Sequence, residues 1–250
     1  MHKIIGPDQL QQSDILLKWI TKDSAFMSKG IGVGQHSHLW FHMGHTASHF
    51  REKYGIDPTQ FSHAALAMGP NEIMEYDEGS GIWDIMTFNG SGVVTDVSAN
   101  DASRKGIKYL VVRAHDRELA RRTWKKAISI KSFWQTEKST SYGIRKLLNS
   151  AIFHKRGQTI NDDKIRREMT KIKGEQNSWW RTNRANFFCS QFVTFVYLWA
   201  AHDMGKIDST LGSIKWLLGV DQARISPAEL AARLVSTGRS NFEIVGEFAP

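Results

Sequence analysis

The stretch ANFFCSQFVTFVYLWAAHDMG, residues 185–205, decides how the chain is expected to fold. It is strongly apolar, it has the length of a helix, and it ends at Gly205, a residue type that often follows the last helical turn. A helix that is apolar on every side has to be buried. The sequence therefore predicts a central buried helix, with Cys189, the only cysteine of the chain, near its first turn.

Strands and further helices are expected around this central helix. β-Branched and apolar residues predict strands at 13–20, 62–69, 71–78, 81–88, 108–114 and 242–248. Helices are predicted from about residue 36 to Lys53, after residue 114, at 141–153 with Ser141 as the cap, and at 225–237. In the last of these, Ser226 is expected to cap the helix and Pro227 to occupy its first turn. The order of elements predicts an α+β fold in one domain, residues 1–250, with insertions at about 21–60 and 158–184.

Composition limits the classes of function. The net charge of +8 suits an anionic partner, but the basic residues are spread out and no nucleic-acid motif surrounds them, so we expect no nucleic-acid partner. No run of residues reaches the roughly 20 apolar residues of a membrane span. The N-terminal residues lack the apolar core of a secretory signal, which predicts synthesis in the cytoplasm without a signal peptide.

Cys189 is a candidate nucleophile because the first turn of a helix favours a thiolate. A nucleophilic cysteine needs a base, and the base needs a third group to orient it. His63 opens a predicted strand and is the candidate base. Glu75, in the adjacent strand of the same hairpin, is the favoured third residue, and Glu72 is the alternative. Because these two glutamates are three residues apart, they point to opposite faces of a strand, and only one can serve.

These residues lie in segments that together carry a family resemblance. The segments are SDILL (13–17), FSHAALAMG (61–69), EIMEYDEGSGI (72–82), YLVVRA (109–114), SYG (141–143), FFCSQFVTFVY (187–197) and ISPAEL (225–230). Their motifs and order resemble those of circularly permuted cysteine hydrolases of the NlpC type, which belong to the papain-like superfamily. Ser13 stands where this family usually has Gly, and Gln191 where it often has Glu.

The resemblance implies a fold and a reaction. It implies a papain-like α+β fold in which an antiparallel sheet packs against the helix that bears the nucleophile. It further implies that Cys189 attacks an amide or ester carbonyl, that His63 protonates the leaving group, and that Glu75 orients His63. No cofactor and no metal are expected.

The substrate expected from the resemblance is a peptide bond in a peptidoglycan stem peptide. The sequence also resembles antibacterial effectors of type VI secretion systems that carry this permuted domain. This implies injection into the periplasm of a target bacterium, a secretion-system carrier and a cognate immunity protein as partners. Two alternatives remain: an acyltransferase, esterase or deamidase acting on lipid or protein, and a non-enzymatic binding module in which Cys189 is merely buried.

The segment HSHLWFHMGHTASHF, residues 36–50, contains five of the ten histidines. His38, His42, His45 and His49 recur at the spacing of one helical face. A zinc peptidase helix would carry a Glu between two ligand histidines four residues apart, and neither pair here has one. We therefore expect a helix particular to this subgroup, flanking the groove or facing a partner, rather than a metal site.

Overall fold

Helices are interspersed among the strands in the computed structural model, which describes residues 3–20, 44–77, 93–136, 141–142, 186–187, 189–206, 225–235 and 241–248. The strands are β1 (Ile4–Ile5), β2 (Ile15–Trp19), β3 (Phe61–Gly69), β4 (Glu72–Asp77), β5 (Val93–Ser98), β6 (Tyr109–Ala114), β7 (Ser141–Tyr142), β8 (Asn186–Phe187) and β9 (Phe242–Phe248). The helices are α1 (44–54), α2 (Ala99–Arg104), α3 (Arg117–Thr136), α4 (Cys189–Asp203) and α5 (Pro227–Leu234).

Seven of these strands form one curled sheet in the order β1-β9-β6-β2-β3-β4-β5. Neighbouring strands are antiparallel, except that β1 runs parallel to β9. The expected α+β class is confirmed, whereas the expectation of a purely antiparallel sheet is wrong. Strand β1 is too short to show in the pattern of apolar residues, and it adds to the sheet edge from a distant part of the chain.

The two faces of the sheet are covered by different elements. Alternate residues of the central strands, such as Leu17, Leu66 and Val112, belong to one buried cluster together with residues of α3, α4 and α5. The intervening residues, such as Leu16 and Ala65, belong to a second cluster. This cluster also contains residues of α2, together with Ile5 of β1 and Phe248 of β9. We call the first the helix face and the second the inner face.

Helix α4 lies on the helix face, and two contacts fix its direction. The hydroxyl of Tyr197 donates to the backbone oxygen of Ser13 at 2.5 Å, and the backbone N–H of Ser13 donates to Ala67 at the far end of β3. Just beyond the helix, Lys206 forms an ion pair with Asp116, which follows β6. The C-terminal end of α4 therefore lies at the Ser13 end of the sheet, and Cys189 lies toward the opposite end.

Several predicted elements are confirmed. The predicted strands at 13–20, 62–69, 71–78, 108–114 and 242–248 correspond to β2, β3, β4, β6 and β9. The predicted C-terminal helix begins at Pro227, and Ser226 caps it by accepting a hydrogen bond from the N–H of Glu229 at 3.2 Å. The buried helix begins at Cys189, four residues later than expected, because Asn186–Phe187 forms a strand that pairs in parallel with Ser141–Tyr142.

Other predictions are wrong or lie outside the described residues. Ser141 and Tyr142 are in strand β7 and not in a helix, and residues 143–153 of that predicted helix are outside the described residues. The predicted strand at 81–88 and the insertion at 158–184 are also outside them. Of the predicted insertion at 21–60, residues 44–60 are described, and they include Phe50 and Ile56 in the main core. None of the helices in the described ranges is both long and apolar enough to cross a membrane.

Candidate active site

His63 and Glu75 lie close together on the inner face. Glu75 pairs with Ala65, and His63 is two residues from Ala65 on the same strand, so the two side chains are diagonal neighbours on the same face. The Nε2 atom of His63 is 4.0 Å from Oε1 of Glu75, and both side chains are largely buried. This is the separation of an ion pair and is longer than a hydrogen bond. The hairpin thus brings the expected base and its expected orienting residue together.

Tyr109 extends this pair into a row of three side chains. Its hydroxyl donates to Oε1 of Glu75 at 2.7 Å, and the bond is buried. Strands β2 and β3 lie between the strands of Tyr109 and Glu75, so this bond spans two intervening strands. Tyr109 was not predicted as a site residue, since the sequence indicated only that it belongs to the apolar strand YLVVRA. An aromatic residue with a polar end in an otherwise aliphatic strand was the available signal.

A β-bulge lies beside His63. Lys18 pairs with His63, whereas the next residue, Trp19, pairs with Phe61, so Ser62 is an extra residue in β3. Bulges bend a strand and change the direction of nearby side chains, and they are common next to active sites. The irregularity is thus adjacent to His63, the predicted base.

Cys189 is the first residue of α4 and is fully buried. It lies eight residues before Tyr197, which corresponds to about 12 Å along a helix. His63 lies four residues before Ala67, about 13 Å along a strand. Tyr197 bonds to Ser13 beside Ala67, so both Cys189 and His63 lie away from the Ser13 end of the sheet. Burial raises the pKa of the Tyr197 hydroxyl, which keeps this anchoring donor protonated.

Helix α4 packs on the helix face through residues from Phe192 onward, whereas the bond from Tyr109 to Glu75 lies on the inner face. The first turn of α4 is held by the segment that precedes α5, because the Ser190 hydroxyl donates to the backbone oxygen of Ile225 at 2.5 Å.

The other candidate residues are placed differently. Glu72 is exposed beside the β3–β4 turn and pairs with Ser98, away from His63. His45 and His49 are exposed on α1, while Ala47 and Phe50 of that helix are buried; His36, His38 and His42 are outside the described residues. In the part of the chain that the structure describes, no group of three or more His, Cys, Asp or Glu side chains is arranged to hold a metal ion.

Comparison with known proteins adds no relative: no family model, no curated protein and no solved structure matches this chain.

Proposed function

We propose that the protein is a cysteine hydrolase that cleaves an amide bond, with Cys189 as nucleophile, His63 as base and Glu75 as the residue that orients His63. The observation that carries the proposal is the buried His63–Glu75 pair with its 4.0 Å separation, and Cys189, as the first residue of α4, supplies a thiol at a helix N-terminus. A thiol at a helix N-terminus is the type of nucleophile that such a pair serves.

The reaction proceeds through an acyl-enzyme. Cys189 gives its proton to His63, and the thiolate attacks the carbonyl carbon. The C–N bond then breaks as His63 returns the proton to the leaving amine, and water hydrolyses the thioester to release the acid. Glu75 stabilises the charge that the imidazole carries in between, and the backbone N–H of Cys189 is the proposed oxyanion donor. Attack requires the buried Cys189 thiol and the His63 ring to come within hydrogen-bond reach of each other.

The permuted papain-like fold is part of the proposal and is supported by Ser13. This residue stands where the permuted NlpC-type hydrolases usually have Gly. Its φ is +65°, in the left-handed region that favours Gly. The side chain is accommodated because its hydroxyl donates to the backbone oxygen of Ala120 at 2.9 Å. The backbone at this position thus has a conformation that Gly adopts without strain, although the residue is Ser.

The proposed substrate is the peptide stem of peptidoglycan, and the proposed setting is delivery as a type VI secretion effector that an immunity protein neutralises. These follow from the motif resemblance, and the net charge of +8 is compatible with an anionic polymer. Production of the protein in the periplasm of a susceptible bacterium tests them. We expect lysis of cells that produce the wild type and not of cells that produce Cys189→Ala. Equal growth of the two cultures contradicts the proposed substrate and setting.

The thiol itself provides a direct test, since Cys189 is the only cysteine and any label reports on it alone. We expect iodoacetamide to label the folded protein quickly near neutral pH, and His63→Ala to slow the labelling at least roughly tenfold. His49→Ala, at an exposed histidine of α1, is the matched control and should leave the rate unchanged. Slow labelling in all three proteins would mean that Cys189 is an inert core residue.

A digest identifies the bond that is cleaved. Purified sacculi, and vesicles containing ester lipids, are incubated with wild type and with Cys189→Ala, and the products are weighed by mass spectrometry. Muropeptides cut at a peptide bond by the wild type alone support the proposal. Cleavage of lipid esters alone favours the esterase alternative, and cleavage of neither substrate, together with slow labelling, favours the binding module.

A further inference from the structure

A separate cleft opens at the other end of the sheet. Its volume is about 810 Å³, and residues from the segments around β1, the β3–β4 turn, the end of β6, the start of α3 and β9 line it. Pro70, one of the lining residues, lies seven residues after His63, which corresponds to about 23 Å along an extended strand. The cleft is therefore distinct from the candidate active site.

Positive charge predominates in the cleft. Its basic lining residues outnumber the acidic ones, and they come from the residue before β1, from β6 and from α3. The basic residues are Lys3, Arg113, Arg117 and Arg121, and the acidic ones are Asp8 and Asp14. Arg121 is engaged by Glu118 on its own helix. Lys3 and Arg117 are exposed, and neither forms an ion pair with an acidic side chain in the described ranges.

Arg113 is held rigidly within this lining. Its Nε and Nη2 atoms donate to the two carboxylate oxygens of Asp14 at 2.7 and 2.6 Å, and Asp14 is only 1% exposed. Nη2 also donates to the backbone oxygen of Gln9 at 3.1 Å. Among the described residues no acceptor binds Nη1, so the N–H groups of this one nitrogen of a fixed guanidinium are left for a ligand. Guanidinium N–H groups donate charge-assisted hydrogen bonds to phosphate and carboxylate oxygens.

We propose that this cleft binds a small polyanion carrying two or more phosphate or carboxylate groups. Arg113 supplies a fixed donor, and Lys3 and Arg117 supply exposed positive charges from two other segments. The volume is that of sites for small organic ligands. A single anion would engage only one of these cations, whereas a polyanion engages several.

Binding of tripolyphosphate and of citrate, measured by titration calorimetry at about 0.15 M salt, tests the proposal. We expect the wild type to bind at least one of them, and the tighter ligand to show whether the cleft selects phosphate or carboxylate. The double variant with Lys3→Glu and Arg117→Glu should bind roughly tenfold more weakly or worse. Both positions are exposed, so folding should be preserved, and circular dichroism checks this.

General attraction to a basic protein is the competing explanation, and a charge-matched control separates the two. Lys105→Glu with Lys125→Glu changes the net charge equally at exposed positions outside the cleft lining and should preserve binding. Equal weakening by both double variants, or no binding of either ligand to the wild type, overturns the proposal. Cys189→Ala should bind like wild type, so this result is independent of the proposed hydrolase activity.

Discussion

At the scale of single residues, the buried carboxylate of Glu75 depends on a tyrosine three strands away. The hydroxyl of Tyr109 donates to it at 2.7 Å, and Tyr109 itself is fully buried. Tyr109→Phe removes the donor and leaves a buried charged acceptor less satisfied. We expect the free energy of unfolding, measured by urea denaturation, to fall by about 1.5–3 kcal/mol.

Tyr54→Phe is the matched control for this substitution. The Tyr54 hydroxyl donates to a neutral acceptor, the backbone oxygen of Val235, over a longer distance of 3.4 Å. Its loss should therefore cost less than the loss of the Tyr109 hydroxyl. If the two variants lose equal stability, the hydrogen bond to Glu75 stabilises the fold no more than the longer hydrogen bond to Val235 does. If Glu75 orients His63 as proposed, Tyr109→Phe also lowers the rate of amide hydrolysis, whereas Tyr54→Phe does not.

The pair His63 and Glu75 was predictable from the sequence because both lie in one hairpin, where a turn of known position fixes the register. Tyr109 was not predictable as their neighbour. Its position beside Glu75 depends on the order of strands across the sheet and on the curl of the sheet, which no local pattern encodes. The same limit applies to Cys189: the sequence located it near a helix start, while the face on which α4 packs is a property of the whole sheet.

At the scale of elements, Gly246 in β9 allows β1 to approach. A Cβ atom at this position would overlap the backbone oxygen of Lys3 and lie 3.1 Å from Cγ2 of Ile5. The Lys3 oxygen accepts a hydrogen bond from the N–H of Glu247, so it cannot move away without loss of pairing. We expect Gly246→Ala to lower the free energy of unfolding by about 1–3 kcal/mol.

Gly44→Ala is a suitable control, because a Cβ atom there has nothing within 4 Å and the residue lies in helix α1. Alanine is the better helix former, so this change should be neutral or slightly stabilising. Urea denaturation of the two variants is the measurement. A Gly246→Ala protein as stable as wild type would show that β1 does not need this close contact.

The elements found from the sequence were those with a strong local signal. Ser226 and Pro227 mark the start of α5 through capping preferences, and the apolar run of β6 marks a buried strand. The elements that were missed depend on partners. Strand β1 has two residues and exists because β9 pairs with it, and β8 forms against β7 in place of a longer α4.

At the scale of the whole molecule, acidic side chains with lowered pKa values link stability to pH. Burial opposes the shift at Asp116, but hydrogen bonds from Lys206 and from backbone N–H groups hold its pKa below the ordinary value. Burial likewise opposes the shift at Asp57, where hydrogen bonds from Thr59 and Arg51 lower the pKa. Hydrogen bonds from Arg121 and Arg122 lower the pKa of exposed Glu118 to about 2. Each of these groups stabilises the fold when ionised.

The sign of the pH dependence follows from these shifts. Between the ordinary pKa values, 3.8 for Asp and 4.5 for Glu, and the lower folded values, the unfolded chain binds more protons than the folded one. The stabilisation is therefore complete above about pH 5 and is lost as the pH falls toward 2. The rising positive charge of a protein that already carries +8 adds repulsion in the same range.

Asp116→Asn separates the specific effect from the general repulsion. Asparagine still caps α3, where Oδ1 of Asp116 accepts from the N–H groups of Glu118 and Leu119, but it loses the ion pair with Lys206. We expect the variant to be about 0.5–1 kcal/mol less stable than wild type at pH 6 to 7, with the difference shrinking as the pH falls through the folded pKa of Asp116. Urea denaturation from pH 7 down to the acid limit measures this difference. Lys206→Met, which removes the other partner, should give the same convergence. A difference that stays constant with pH would mean that the Asp116–Lys206 pair does not link folding to proton binding.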